Sequence, residues 1–178
     1  MATLHGFAPV ANRDAEVLIL GSMPGVASLA AGQYYAHTHN AFWRILAELL
    51  QFRAYADKLR ALKSARIALW DVLQACSRPG SLDAMIERDS ETANDIGTFL
   101  RTHRKIQRVL FNGAKAESCF KRHVAPGLEG LAVLTMRLPS TSPAHAGMAY
   151  ARKLELWRAA LSLPCASSKC IANSSVLP

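Results

Sequence analysis

Val17-Leu18-Ile19-Leu20-Gly21-Ser22-Met23-Pro24-Gly25 is the stretch on which the fold turns. Four consecutive branched aliphatic residues leave no polar side for solvent, which is how a strand covered on both faces of a parallel sheet reads. Gly21 ends the run, and two glycines with a proline let the backbone turn sharply at the strand exit and aim N–H groups outward. Working outward, apolar runs at Ile67-Ala68-Leu69-Trp70, Val109-Leu110-Phe111 and Leu131-Ala132-Val133-Leu134 predict three further strands. Between them Phe42, Ile45, Leu46, Leu49 and Leu50 recur on one helix face while Arg44 and Glu48 take the other. Asn40 stands just ahead of that helix, where a side-chain amide caps free N–H groups.

The spacing predicts more helices around Tyr55 to Leu62, Asn94 to His103, Ala114 to His123 and Met148 to Leu161. Strands alternating with helices give an α/β fold, a three-layer sandwich with a central four-stranded parallel sheet. Cys76 to Asp89 contains Pro79-Gly80 and several polar residues, and reads as a loop with a short helix at most. The 178 residues suit one α/β domain over 1–163, with 164–178, which lacks a period and large apolar groups, expected as a mobile tail.

Against 13 acidic residues stand 21 Lys and Arg, a formal charge of +8, which favours a polyanionic partner such as nucleic acid. The start, Met1 to Val10, has no basic segment followed by an apolar run, and no apolar stretch reaches the roughly 20 residues of a membrane helix. A cytoplasmic protein is expected, nucleoid-associated if it binds DNA, monomeric and with no membrane partner. Cys76, Cys119, Cys165 and Cys170 are scattered without a C-x-x-C pair, so reduced structural thiols are expected, and no zinc, iron–sulfur or other metal.

Three loops concentrate chemistry, and ligands of open α/β sheets bind beyond the carboxyl ends of the strands. The first, Gly21 to Gly25, is not a phosphate-binding Walker loop, since no Gly-Lys-Ser/Thr follows. In the second, Tyr34, Tyr35, His37, His39, Asn40, Phe42 and Trp43 mix flat stacking surfaces with hydrogen-bonding groups, as a nucleobase pocket would. Phe42 and Trp43 equally suit core packing. The third, Leu138-Pro139-Ser140-Thr141-Ser142-Pro143-Ala144, follows Arg137 and is stiff and rich in hydroxyls able to bond phosphate oxygens. An ordinary surface loop has the same composition.

Together, Gly21-Ser22-Met23-Pro24-Gly25, Tyr34-Tyr35-Ala36-His37-x-x-Asn40-x-Phe42-Trp43, Leu69-Trp70-Asp71-Val72-Leu73, Gly80-Ser81-Leu82-Asp83, Phe111-Asn112-Gly113 and Leu138 to Ala144 resemble the hypoxanthine-DNA (deoxyinosine) glycosylase family of the uracil-DNA glycosylase superfamily. The likeness spans Leu4 to Leu161 with the motifs in the family's order. It implies a parallel four-stranded sheet between helices and a cofactor-free enzyme that hydrolyses the N-glycosidic bond of a flipped deaminated base in double- or single-stranded damaged DNA. Where the superfamily's first motif commonly has a water-orienting Asp or Asn, this chain has Met23; the resemblance transfers that duty to Asn40.

The same resemblance places Tyr35 where relatives stack an aromatic on the extruded base. It also puts Leu138 where uracil-specific members often have His, which argues against a dedicated uracil enzyme. The base pocket it implies comprises Gly21, Ser22, Met23, Gly25, Tyr35, His37 and Asp71, with Arg137, Ser140, Thr141 and Ser142 on the DNA. Three readings compete with hypoxanthine excision: a uracil or mismatch-type glycosylase, a lesion-binding module without hydrolysis, and a hydrolase of free nucleosides.

Overall fold

The computed structural model describes residues 3–52 and 57–162. Strands β1 (Leu4–His5), β2 (Val17–Gly21), β3 (Ile67–Asp71), β4 (Leu73–Cys76), β5 (Thr92–Ala93), β6 (Arg108–Asn112) and β7 (Leu134–Leu138) alternate with α1 (Val26–Ala31), α2 (Phe42–Leu50), α3 (Lys58–Ser64), α4 (Ile96–Thr102), α5 (Ala114–His123) and α6 (Tyr150–Ser162). The main sheet is parallel, in the order β3-β2-β6-β7. Every residue of β2 is buried, as a central strand requires.

Alternation along β2 divides the interior in two. Leu18 and Leu20 pack with Val109, Phe99, Leu100 and Phe120 toward α4 and α5. Val17 and Ile19 pack with Leu110, Phe42, Ile45, Leu46 and Trp157 toward α2 and α6. The result is the expected three-layer α/β sandwich. On α2, Phe42, Trp43, Ile45 and Leu46 are buried while Arg44 and Glu48 pair outside.

The fourth strand is displaced from its expected place: Leu134–Leu138 forms it, not Leu131 to Leu134. The Leu131 N–H closes a turn on the Leu128 carbonyl, and Leu131 and Val133 pack as partly buried side chains. β7 is an edge with one neighbour, and Leu134 and Met136 stay 70% and 40% exposed. Its true register therefore runs straight into Pro139 and the third loop.

A small antiparallel sheet, β1-β4-β5, and helix α1 have no counterpart in the sequence reading. Cys76 to Asp89 carries only short 3-10 turns at Asp83–Met85 and Arg88–Ser90 after β4 ends. The helix expected around Tyr55 to Leu62 is observed as Lys58–Ser64. The positions 53–56, the segment 164–178 and with it Cys165 and Cys170 lie outside the described residues. Cys76 and Cys119 are buried free thiols. No described helix is long and apolar enough to cross a membrane.

Candidate active site

At the carboxyl end of the sheet the three loops face one cavity of about 630 Å³, within the roughly 300–1,000 Å³ of small-molecule sites. Gly21, expected in the base pocket, is not in the cavity wall but lies beneath two residues that are, Asp71 and Tyr35. A Cβ there would lie 2.2 Å from Asp71 Oδ1 and 2.8 Å from the Tyr35 hydroxyl, so only glycine lets β2 pass under both groups. The Val72 and Leu73 N–H groups donate to the Gly21 and Ser22 carbonyls, at 2.9 and 3.0 Å, and fix where the first loop leaves the sheet.

That loop is clamped by the segment after β4. The Ser22 hydroxyl donates to Asp83 Oδ2 at 2.5 Å, and the Val26 N–H donates to Ser81 Oγ at 3.0 Å. The Arg78 side chain is fully buried; it donates to the carbonyls of Gly80 and Pro24 and pairs with Asp83 at 3.5 Å. Sequence reading passed over Arg78, because an arginine in a polar loop looks like a solvent or phosphate contact. Its nearest signal was the Gly80-Ser81-Leu82-Asp83 motif it organises. Met23 lines the cavity while packing into the core, and a thioether orients no water.

The second segment is held from beneath. Trp43 Nε1 donates to the Tyr34 carbonyl at 2.7 Å and the Tyr34 hydroxyl donates to Ala8 O at 3.1 Å. Tyr35 follows with φ +52°, a left-handed conformation uncommon outside glycine. Such strain persists where surrounding structure imposes it, often at binding sites. Its ring stacks on Phe42 at 3.9 Å, and its hydroxyl is buried, with the Asn112 side chain as its neighbour. Burial pushes that phenol well above its ordinary range.

Asn40 lies half-buried in the cavity wall. Its Oδ1 accepts the Phe42 N–H at 3.0 Å, so the amide serves the start of α2 and is thereby fixed in rotation. A carbonyl oxygen has two lone pairs, and this bond uses one. His37 is exposed on the cavity rim, with its Nδ1 accepting the His39 N–H at 3.2 Å.

The third loop is latched by a residue that sequence reading quoted but gave no role. Asn112, at the end of β6, donates through Nδ2 to Thr141 Oγ1 and accepts the Thr141 N–H on Oδ1, both at 2.9 Å. Thr141 is 1% exposed, an anchor of the loop. Trp157 Nε1 donates to the Pro139 carbonyl at 3.1 Å, and the Ala41 N–H donates to the Thr141 carbonyl at 3.0 Å, joining second and third loops. Ser140 and Ser142 line the cavity; Arg137 is outside its wall, on edge strand β7, paired with Glu117 at 3.2 Å.

Asp71 ends β3 directly opposite Gly21. It is 3% exposed, lines the cavity, and its Oδ2 is buried without a hydrogen-bond partner. Burial pushes its carboxyl up to about 8, with the charge of Asp83 adding and Arg78 opposing. At neutral pH it is mainly a protonated acid with an O–H to donate. No group of three or more His, Cys, Asp or Glu among the described residues is placed to hold a metal ion.

The uracil DNA glycosylase superfamily profile matches residues 8–161. A hypoxanthine DNA glycosylase of Methanosarcina acetivorans is 39% identical over 159 residues, covering 87% of this chain and 96% of that protein. A second hypoxanthine DNA glycosylase, from Methanosarcina barkeri, is 40% identical over 116 residues, 63% of this chain and 72% of its own. Among solved structures, the solution structure of a candidate uracil DNA glycosylase from Methanosarcina acetivorans superposes with TM-score 0.71 at 34% identity, covering 89% of this chain and 98% of that one.

Proposed function

The chain belongs to the uracil DNA glycosylase superfamily, and from that premise we propose that it is a DNA repair glycosylase that excises hypoxanthine from damaged DNA and leaves an abasic site. The observation that carries the reading is Asn40: a carboxamide with a fixed rotation in the wall of a cavity between three loops, in a chain 39% identical to a hypoxanthine DNA glycosylase.

A base inside a duplex is out of reach, so the nucleotide is extruded at a cost of a few kcal/mol, least for a deaminated base that pairs badly. Contact with the Tyr35 ring offsets about 1–3 kcal/mol of it. Ser140, Ser142 and the exposed rim Pro143-Ala144-His145 meet the flanking phosphates. The net charge of +8 adds attraction that salt weakens.

Breaking the glycosidic bond leaves an oxocarbenium-like sugar and a purine that gains the electron pair. The second lone pair of Asn40 Oδ1 accepts a hydrogen bond from the attacking water and aims it at C1′. An amide is too weak a base to remove the proton, so orientation is its contribution. Backbone N–H groups of Ser22, Met23 and Gly25 face the charge growing on the base. The nucleophile is water, and chelator treatment leaves the rate unchanged. The unit that does this is residues 1–163, acting as a monomer in the cytoplasm, at the nucleoid.

The test is a panel of single- and double-stranded oligonucleotides, each with one hypoxanthine, xanthine or uracil, incubated with enzyme and then cleaved with alkali. Hypoxanthine strands are cut fastest. Binding in a gel shift with no alkali-labile product makes the chain a lesion-binding module instead, and faster release of uracil makes it a uracil enzyme.

A further inference from the structure

We propose that Asp71 is the proton donor to the departing purine, its buried carboxyl placed in the cavity wall, one oxygen unpartnered, to meet the heteroatoms of the extruded base. The inference rests on the glycosylase reading above and goes beyond it by naming the general acid.

A buried carboxyl ordinarily has its oxygens satisfied, since an unpaired polar atom out of water is destabilising. Asp71 departs from that rule. Its Oδ2 has no hydrogen-bond partner among the described residues, while the buried Tyr35 hydroxyl nearby interacts with the Asn112 side chain. Both groups converge over Gly21, where neither leaves room for a methyl group. An unpartnered carboxyl oxygen at the bottom of a cavity is satisfied by what enters it.

The surroundings select the protonated form. Asp83 and Arg78 approach from the segment after β4, the carboxylate disfavouring a second negative charge and the guanidinium already committed to Pro24, Gly80 and Asp83. Tyr34 and Tyr35 approach from the second segment and add no positive charge. His37 and His145 line the same cavity, and both are exposed. A purine anion reaching the floor thus meets a neutral donor, the nearby Arg78 guanidinium being already paired with Asp83, and a positioned acid in that place lowers the barrier.

The step balances. The C1′–N9 bond breaks with its electron pair going to the purine, whose charge spreads over its ring nitrogens and O6. The proton moves from the Asp71 carboxyl to one of these atoms, and the base leaves neutral. Water held by Asn40 forms the new C1′–O bond and releases a proton, and Asp71 regains one from solvent.

Single-turnover excision of hypoxanthine as a function of pH tests this. The wild-type rate is level below about 8 and falls about tenfold per unit above it as Asp71 ionises. Asp71→Asn keeps an N–H donor of the same shape that releases no proton; its rate is lower by about 10²-fold and loses the alkaline fall, while affinity for a duplex bearing an abasic-site analogue is unchanged. Xanthine, a more acidic leaving group, suffers less from the same substitution than hypoxanthine. Formic acid restores part of the rate to Asp71→Ala.

A wild-type rate in Asp71→Asn, or an alkaline fall that survives in that variant, overturns the assignment. Should both variants fail to fold, a wild-type profile that stays level to about pH 10 overturns it alone. A wild-type enzyme that releases no hypoxanthine at any pH instead removes the glycosylase reading itself, so the two failures are distinct.

Discussion

Asp71 and Glu91 are both acids tucked into this protein, on different sides of it and to opposite ends. Glu91, just ahead of β5, has no exposed side-chain surface and receives Lys115 and Arg122 at 2.6 Å and His123 at 2.7 Å, all from α5. Burial would raise its carboxyl, but the hydrogen bonds from Lys115 and His123 and the charges of Lys115 and Arg122 prevail and hold it below the usual range. Asp71 has no such ring of cations, and its oxygen is left unbonded at the cleft floor. A carboxyl satisfied on every side holds a helix to a strand. One left unsatisfied at the end of a central sheet holds a place for a ligand.

The sharpest way to break this contrast is on the cleft side. Asn40→Ala lowers single-turnover excision of hypoxanthine by about 10²–10⁴-fold, while thermal unfolding registers only the lost bond to the Phe42 N–H, about 0.5–1 kcal/mol. A near-normal rate would empty the cleft of its assigned chemistry.

Next comes the pH dependence of stability, where the two acids pull oppositely. Asp71 has a folded-state value raised to about 8, so its contribution to stability is complete below about 4 and is lost as pH climbs to about 8, by about 1.4 kcal/mol per unit across that window. Asp71→Asn removes this slope, and its melting temperature gains on wild type steadily from pH 5 to 8. Glu91 is depressed, so its contribution is present above its unfolded value near 4.3 and disappears as acid protonates it. A melting curve of Asp71→Asn that parallels wild type over pH 5–8 contradicts the raised carboxyl.

Glu91→Gln leaves Lys115, Arg122 and His123 without their anion and costs about 1–3 kcal/mol in denaturant unfolding, with the excision rate per folded molecule unchanged. An excision defect in that variant would erase the division of labour between the two carboxyls. The smallest expected effect is that of removing 164–178, which leaves both the hypoxanthine excision rate and the unfolding midpoint of the remainder as they were.

Legibility followed burial. β2, β3 and β6 were readable because strands with both faces covered are apolar throughout. β7 was misplaced because all but its last residue are exposed and its Leu134-Thr135-Met136-Arg137-Leu138 mixes polar and apolar residues, while the more apolar run before it is irregular at 131–133. The strands of the small sheet, two to four residues long, are too short to show a period. At the site, Ser22, Met23, Gly25, Tyr35, His37, Asn40, Asp71, Ser140, Thr141 and Ser142 all line the cavity, as loops after parallel strands should.

Residue type, spacing and order were sufficient to specify a parallel α/β sheet and the three loops at its carboxyl edge, because periodicity and turn chemistry act over a few neighbouring residues. What only the folded chain decided is which polar groups are taken and which are free. Arg78 reaches Pro24 across 54 positions and Asn112 reaches Thr141 across 29, while Asp71 is left without a partner for its buried oxygen. Hydrogen-bond satisfaction and desolvation depend on atoms brought together from distant parts of the chain, and no local pattern records them.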